Sequence, residues 1–156
     1  MTTLALGCDT ISETERAESP TGGVELSLQI LRTGEQKYEL YKVTAKGEIE
    51  YGGGFKAFNG TTGWTGRLTP EEIREFLVVL ASTGWCDTEP HDDPESTTRV
   101  AIEVRCDEGR HTWSVRGESE EVKKMHALLD PIARRRLESD LDRLPDPNEP
   151  PPDATG

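Results

Sequence analysis

The chain has few basic residues, few aromatic residues and no long hydrophobic run. Only 18 lysines and arginines stand against 30 aspartates and glutamates, so the formal charge is −12 at pH 7. A surface of that sign repels the phosphate backbone and argues against a nucleic-acid partner. No apolar stretch approaches the roughly 18 residues that a membrane-spanning helix requires. With 156 residues, the chain has room for one modest domain and its tails.

The sequence also lacks the motifs of the common catalytic and nucleotide-binding sites. Gly-x-Ser-x-Gly, His-Glu-x-x-His and Cys-x-x-Cys are all missing, and the Gly-rich stretch at residues 52–63 has no Gly-Lys-Ser/Thr. A general base needs a positioned partner, and His111, on a predicted strand beside Trp113, is interpreted as a half-buried structural residue. We therefore predict a protein that is not an enzyme and that uses no cofactor.

Cysteine is scarce, and its odd count needs an explanation. The opening Ala5-Leu6-Gly7-Cys8 resembles the lipobox of bacterial lipoproteins, in which the cysteine is lipidated and becomes the mature N-terminus. With Cys8 lipidated, Cys86 and Cys106 remain as an even pair and a candidate disulfide. That bond would close a loop of about 20 residues and stabilise the fold by about 3 kcal/mol. In the cytosol, all three would be free thiols.

Composition divides the chain into a central domain and two tails. Residues 1–8 are interpreted as the remnant of a lipoprotein signal, and residues 9–22 are polar, acidic and without periodicity, as expected for a disordered tether. Residues 145–156 are Pro-rich and are predicted to be a disordered tail. The single domain is predicted to span residues 23–144.

Hydrophobic periodicity predicts an α+β domain. Period-two alternation indicates about six strands, at residues 24–32, 37–43, 47–51, 64–68, 98–106 and 110–116. Thr69-Pro70-Glu71-Glu72 is a capping box with proline at the first helical position, and Ser119 caps a second helix. The order ββββαββα predicts an antiparallel β-sheet with helices packed on one face.

Three places in this pattern are irregular. Within residues 37–43 the apolar positions change phase, which predicts a bulge or a twisted edge strand. Asp130-Pro131 predicts the end of one helix and the start of another. Residues 52–63 predict a flexible loop whose Phe55 and Phe58 fold back onto the domain, with a partner-binding loop as the alternative.

A run of three arginines, residues 134–136, lies on the last predicted helix. Arg134 and Glu138 are four residues apart, as are Arg136 and Asp140, which is the spacing of ion pairs along a helix. We therefore predict an exposed helix stabilised by salt bridges in this region, and no anion-binding surface.

The acidic loop at residues 87–95 contains the weak metal-ligand candidates, His91, Asp92, Asp93 and Glu95. Carboxylate oxygens bind hard cations, but calcium loops alternate their ligands around a tight glycine that is missing here. We therefore predict a solvated acidic loop and no metal, while a divalent-ion-binding module that uses this loop stays open as an alternative.

The middle of the chain resembles a family of bacterial exported proteins and lipoproteins that have no assigned activity. The resemblance covers about residues 24–130 and depends on the stretches Gly47–Gly53 and Gly66–Glu72 and on the Gly84-Trp85 that ends the helix. It implies export and supplies no catalytic residue. The chain departs from the family at residues 33–36, where relatives have a cysteine-containing loop.

These observations together favour a non-enzymatic accessory protein of the bacterial envelope. Lipid on Cys8 would anchor it to the bilayer on the outer side of a bacterial membrane, and an unidentified envelope protein would be its partner. Two alternatives stay open. One is an envelope enzyme or ion-binding module that uses residues 87–95, and the other is a soluble cytosolic protein of unknown role.

Overall fold

The computed structural model describes residues 19–145 and 147–148 of the chain. Six strands are formed, β1 (Glu25–Arg32), β2 (Lys37–Val43), β3 (Glu48–Gly53), β4 (Trp64–Arg67), β5 (Thr98–Cys106) and β6 (Gly109–Arg116). Three helices accompany them, α1 (Gly54–Phe58), α2 (Pro70–Thr83) and α3 (Glu120–Asp142). The strands form one antiparallel sheet in the order β4-β3-β2-β1-β5-β6. The predicted α+β class is confirmed.

Several predicted features lie outside the described residues. They are Cys8 with the lipobox-like segment, residues 9–18 of the predicted tether, and residue 146 and residues 149–156 of the predicted tail. Among the helices of the described part, none combines the length and the hydropathy needed to cross a bilayer.

The two long helices cover one face of the sheet, and the main core lies between these helices and the sheet. The alternation in β1 turns Leu26, Leu28 and Ile30 to this face, where each is at most 2% exposed. The helices contribute buried side chains from one side each, among them Phe76 of α2 and Met125 of α3. Burial of this apolar surface is the main stabilising contribution to the fold.

Strand β2 contains no bulge and is not an edge strand, so both predictions for residues 37–43 are wrong. It lies between β1 and β3, and its pairing with β1 is continuous from Arg32↔Lys37 to Leu26↔Val43. The apolar positions change phase because both faces of the strand are covered. Tyr41 is buried on the side of the long helices, and Leu40 is buried on the opposite side.

The start of α2 has the predicted capping box. The side chain of Thr69 accepts a hydrogen bond from the Glu72 N–H at 3.2 Å, and Glu72 Oε1 accepts one from the Thr69 N–H at 2.8 Å. Pro70 stands at the first helical position, where its missing N–H costs nothing. Gly84 ends the helix in the left-handed conformation, with φ of 73°.

Helix α3 runs through Pro131, so the predicted break there is wrong. Ser119 caps its start as expected, and the 23 residues that follow form one helix. The reason is packing, because Leu129 before the proline and Ile132 after it are both buried against the same core. The continuous apolar face outweighs the local cost of a proline inside the helix.

One predicted pair of the arginine run is replaced by a contact between helices. Arg136 binds Glu72 of α2 instead of Asp140. Asp140 instead accepts a hydrogen bond from the indole N–H of Trp64 at 2.8 Å, which connects α3 to β4.

The Gly-rich stretch at residues 52–63 contains α1, which was not predicted and which lies on the other face of the sheet. Gln29 Nε2 donates to the Ala57 carbonyl at 2.7 Å, and Ala57 is fully buried. Phe55 is 78% exposed and Phe58 is 49% exposed. The prediction that both phenylalanines fold back onto the domain is therefore wrong for Phe55 and only half right for Phe58.

The ordered domain includes residues that were assigned to the tether. The Ser19 hydroxyl bonds to the Ala45 carbonyl, and Thr21 is buried while its hydroxyl donates to the Val24 carbonyl at 2.8 Å. The structure thus places residues 19–22 on the domain, before its predicted start at residue 23.

Candidate functional site

A charged residue, Glu39, is buried between the sheet and the helices that cover it. Glu39 is on β2 two residues before Tyr41, so both side chains point toward α3, and the Glu39 side chain is 2% exposed. Burial of an unpaired carboxylate is strongly unfavourable, so its partners decide what this position does.

The first partner of Glu39 is an arginine that is itself held in place. Arg32 Nη1 donates to Glu39 Oε2 at 2.6 Å. The same guanidinium makes a two-point contact with Glu118, with Nε at 3.0 Å and Nη2 at 2.6 Å from the carboxylate oxygens. The hydrogen bonds that Arg32 donates to Glu118 and Glu39 raise its pKa above the ordinary value, although burial acts the other way.

The second partner is a histidine on α3. His126 Nε2 lies 3.0 Å from Glu39 Oε2 and 3.3 Å from the Tyr41 hydroxyl, and the His126 and Tyr41 rings meet edge to face. An ionised carboxylate only accepts hydrogen bonds, so Nε2 must carry the proton that it shares with Glu39.

One turn further along α3, Asp130 completes the cluster. The Tyr41 hydroxyl donates to Asp130 Oδ1 at 2.7 Å. Arg134 Nε donates to the same carboxylate at 3.0 Å, in place of the pairing with Glu138 expected from the sequence. We call Arg32, Glu39, Tyr41, His126 and Asp130 the buried polar network.

The ionisation states in this network follow from its contacts. Burial alone would raise the pKa of Glu39, but hydrogen bonds from His126 and Arg32, together with their charges, lower it to about 2. Burial, followed by the hydrogen bond to Asp130, raises the pKa of Tyr41 above its ordinary value. Glu39 is therefore a carboxylate and Tyr41 a neutral phenol at physiological pH.

The network also has the composition of a metal site, so its fit to a cation needs a test. Ligand atoms of Glu39, His126 and Asp130 all lie within 4.8 Å of one another, the one such group in the described part of the chain. Each carboxylate is already bound by a guanidinium, Arg32 on Glu39 and Arg134 on Asp130. A divalent ion would meet two positive charges at short range. The arrangement therefore fits an ionic connection between β2 and α3 better than a metal centre.

The sequence-predicted ligand candidates do not form a site. Asp92 binds the Arg116 guanidinium at 2.8 Å and the Arg116 N–H at 2.7 Å, and these hydrogen bonds lower the pKa of Asp92. Asp93 accepts a hydrogen bond from the Glu95 N–H at 3.1 Å. His91 is exposed, and within residues 19–145 these four side chains do not converge as a ligand set. Two of the acids fold the loop onto itself and onto β6.

His111 is not the centre of an acid–base pair in the described structure. Its ring stacks on Trp113, with centroids 6.0 Å apart, and its Nε2 is buried with no hydrogen-bond partner in residues 19–145. Trp113 in turn donates its indole N–H to the Trp85 carbonyl at 2.8 Å. These contacts are those of a packed side chain.

Cys86 and Cys106 are joined by a disulfide, with Cα atoms 5.9 Å apart. The bond connects the segment after α2 to the last residue of β5. It closes a loop that contains the whole acidic stretch at residues 87–95. Cys8 lies outside the described residues, so its lipidation stays a prediction.

The clearest exposed apolar feature is aromatic. Phe55 and Phe58 stand on α1, and the Phe58 ring packs on Tyr38 of β2 with centroids 5.3 Å apart. The third phenylalanine of the chain, Phe76, is completely buried. We call Tyr38, Phe55 and Phe58 the aromatic patch. The sequence predicted a flexible loop with both phenylalanines folded back onto the domain, and it missed α1 because a helix of five residues is too short to give a periodic signal.

No protein-family model matches the chain, and no curated protein is similar enough to count as a relative. The resemblance to exported bacterial proteins therefore stays a prediction, and function has to be argued from the geometry.

Proposed function

We propose that this protein is a non-enzymatic accessory domain of the bacterial envelope, anchored through lipid on Cys8, that binds another envelope protein through the aromatic patch. The exposure of Phe55 and Phe58 is the observation that supports this most directly. Large exposed aromatic side chains on an otherwise charged surface are typical of recognition sites.

The patch is held in position before any partner arrives. Gln29 fixes α1 through the Ala57 carbonyl, and Tyr38 supports Phe58 from below. Gly54 has φ of 59° at the start of the helix, a conformation that other residues adopt with strain. A patch that is already ordered loses little entropy on binding, which favours affinity. The partner that fits is a folded protein with an apolar pocket that can receive Phe55.

The Cys86–Cys106 disulfide supports a location outside the cytosol. Disulfides persist in oxidising environments outside the cytosol and are rare inside it. A bonded pair also leaves Cys8 as the odd cysteine, which is the arrangement expected of a lipoprotein.

A photo-crosslinker at position 55 tests the contact. The full chain carrying p-benzoylphenylalanine in place of Phe55 should give one dominant crosslinked species in the native host, and purified wild-type domain should compete it away. Val78 is the matched control, because it is 70% exposed but lies on α2, across the sheet. Equal crosslinking at both positions, or a crosslink only between two copies of the chain, would contradict the proposal.

Alanine variants make the test quantitative. Phe55→Ala and Phe58→Ala together should weaken capture of the crosslinked partner by about tenfold or more, since aromatic anchors dominate interface energies. Val78→Ala should leave capture unchanged. Thermal unfolding of all variants provides the control for folding, and an unchanged affinity for the double variant would rule out the patch.

The anchor needs its own experiment. Intact mass of the protein from its native host, without reductant, should show a chain that begins at Cys8, carries acyl groups and is two hydrogens light. An unmodified chain with three free thiols would contradict both the anchor and the oxidised compartment.

A further inference from the structure

A surface depression lies next to the disulfide, on the side of the sheet that the two long helices cover. It has a volume of about 270 Å³ and forms where the last turns of α2 meet the β5–β6 turn. Its apolar floor is formed by Val24, Leu77, Leu80 and Ala81 together with the Cys86–Cys106 bond. We call it the disulfide groove.

The floor of the disulfide groove leaves apolar atoms in contact with water. Leu80 is buried, but Val24 and Leu77 are only partly buried and Ala81 is exposed. The disulfide keeps the segment after α2 next to β5, so the groove is a permanent feature of the oxidised protein. Covering this surface with another apolar side chain is favourable.

The rim of the groove has one sign of charge. Asp87, Asp107 and Glu108 line it, and none of the residues that line it is basic. The chain as a whole has a formal charge of −12, which attracts cationic partners over a longer range. The groove therefore combines an apolar floor with a negative rim.

We infer that the disulfide groove binds a segment of another protein in which an apolar side chain stands between lysines or arginines. The apolar side chain covers Leu77 and Val24, and the flanking cations reach Asp87 and Glu108. This site lies on the face opposite the aromatic patch and does not depend on it. A protein that uses both surfaces connects two partners.

Peptide titrations test the chemistry directly. Acetyl-Lys-Leu-Lys-Leu-Lys-amide is added to the ¹⁵N-labelled full chain without reductant and followed by amide chemical shifts. We expect saturable shifts confined to the groove, at Val24, Leu77, Ala81 and Glu108. A peptide with serine in place of leucine should bind at least fivefold more weakly, and one with glutamate in place of lysine should not bind. Equal affinity for the leucine and serine peptides would overturn the inference, because it would show unspecific charge attraction.

Two double variants with the same change in charge locate the site. Asp87→Asn with Glu108→Gln should weaken the leucine peptide at least fivefold. Glu89→Gln with Glu95→Gln removes two exposed acids outside the groove and should change affinity by less than twofold. If both pairs weaken binding equally, the groove is not the site.

A third variant tests whether the occupant of the groove is a segment of another protein or a second copy of this chain. Ala81→Lys places a cationic side chain over the floor, where it both covers the apolar surface and repels the lysines of the peptide, and since Ala81 is exposed on α2 it should leave the melting temperature within a few degrees of wild type. It should abolish peptide binding. Retained binding would overturn the inference. A wild-type dimer in sedimentation equilibrium that Ala81→Lys converts to monomer would also overturn it, because the occupant would then be a second copy of this chain.

Discussion

The two faces of the sheet use the same kinds of charged residue in opposite ways. On the helix-covered face, Arg32 and Glu39 form a pair whose side chains are 12% and 2% exposed. On the opposite face, which only the short α1 covers and which we call the open face, Arg110 and Glu103 form a pair whose side chains are 38% and 44% exposed. The first pair is connected to His126 of α3, whereas the second lies among the strands of the sheet, where Arg110 of β6 also pairs with Glu25 of β1.

The difference shows that burial, more than the presence of a salt bridge, decides how much such a pair contributes. An exposed pair is screened by water and contributes about 0–1 kcal/mol. A buried pair does not have to stabilise the fold relative to an apolar one, but loss of one partner leaves an uncompensated charge and costs about 3–5 kcal/mol. The four predictions below test this contrast, from the largest expected effect to the smallest.

Glu39→Gln should be the most damaging of the matched substitutions. It keeps the shape of the side chain but removes the charge that Arg32 and His126 face, and we expect a loss of about 3 kcal/mol in the free energy of unfolding. Glu103→Gln on the open face is the control and should cost under about 1 kcal/mol. Urea unfolding at pH 7 measures both, and equal losses would refute the contrast between the faces.

The contribution of Glu39 should disappear in acid. Its pKa is about 2 in the folded protein against an ordinary value of 4.5, so its stabilising effect is complete above about pH 5 and is lost as the pH falls through 4.5 toward 2. The stability difference between wild type and Glu39→Gln should therefore shrink by about 2 kcal/mol between pH 5 and pH 2.5. Urea unfolding across this range measures it. A difference independent of pH would mean that Glu39 is not held ionised by its partners.

Two tyrosines on β2 offer a smaller comparison. Tyr41→Phe removes the hydrogen bond to Asp130 inside the network and should cost about 1 kcal/mol or slightly more. Tyr38→Phe changes a residue on the open face for which no hydroxyl hydrogen bond occurs within the described residues, and it should be nearly neutral. Thermal and urea unfolding of the two variants test this. If Tyr41→Phe left the stability unchanged, the Tyr41 hydroxyl would not contribute to the stability of the network.

The smallest effect belongs to the exposed pair itself. A double-mutant cycle with Arg110→Ala and Glu103→Ala should give a coupling energy of at most about 0.5 kcal/mol, and added salt should reduce it. A coupling above 1 kcal/mol that survives high salt would mean that the open face is less exposed to water than its side chains indicate.

The sequence predicted features that depend on residues a few positions apart better than features that depend on tertiary packing. The capping box at Thr69 involves residues three positions apart, and it was predicted with its partners. The alternation in β1 placed Leu28 and Ile30 correctly, because a two-residue period is local. The break at Pro131 was predicted from a local rule and was wrong, since buried residues on both sides of it continue the helix.

The buried polar network could not be predicted in the same way. Glu39 and His126 are 87 positions apart, and each looks like an ordinary surface residue in its own segment. The one available signal was Glu39 standing two residues before an inward-facing Tyr41, within the stretch whose phase was interpreted as a bulge. That signal has meaning only after β2 is known to be covered on both faces.

The amino-acid sequence by itself determined the class of fold, the order of its strands and long helices, and the cysteines available for pairing. Alternation, capping residues and turn glycines act within a few residues, and their physical effect is the same wherever the segment ends up. The tertiary structure alone decided which charges are buried together, which phenylalanines remain exposed and where the disulfide groove forms. Those outcomes depend on which distant side chains meet and on how far water is excluded from them, and both are properties of the packed domain.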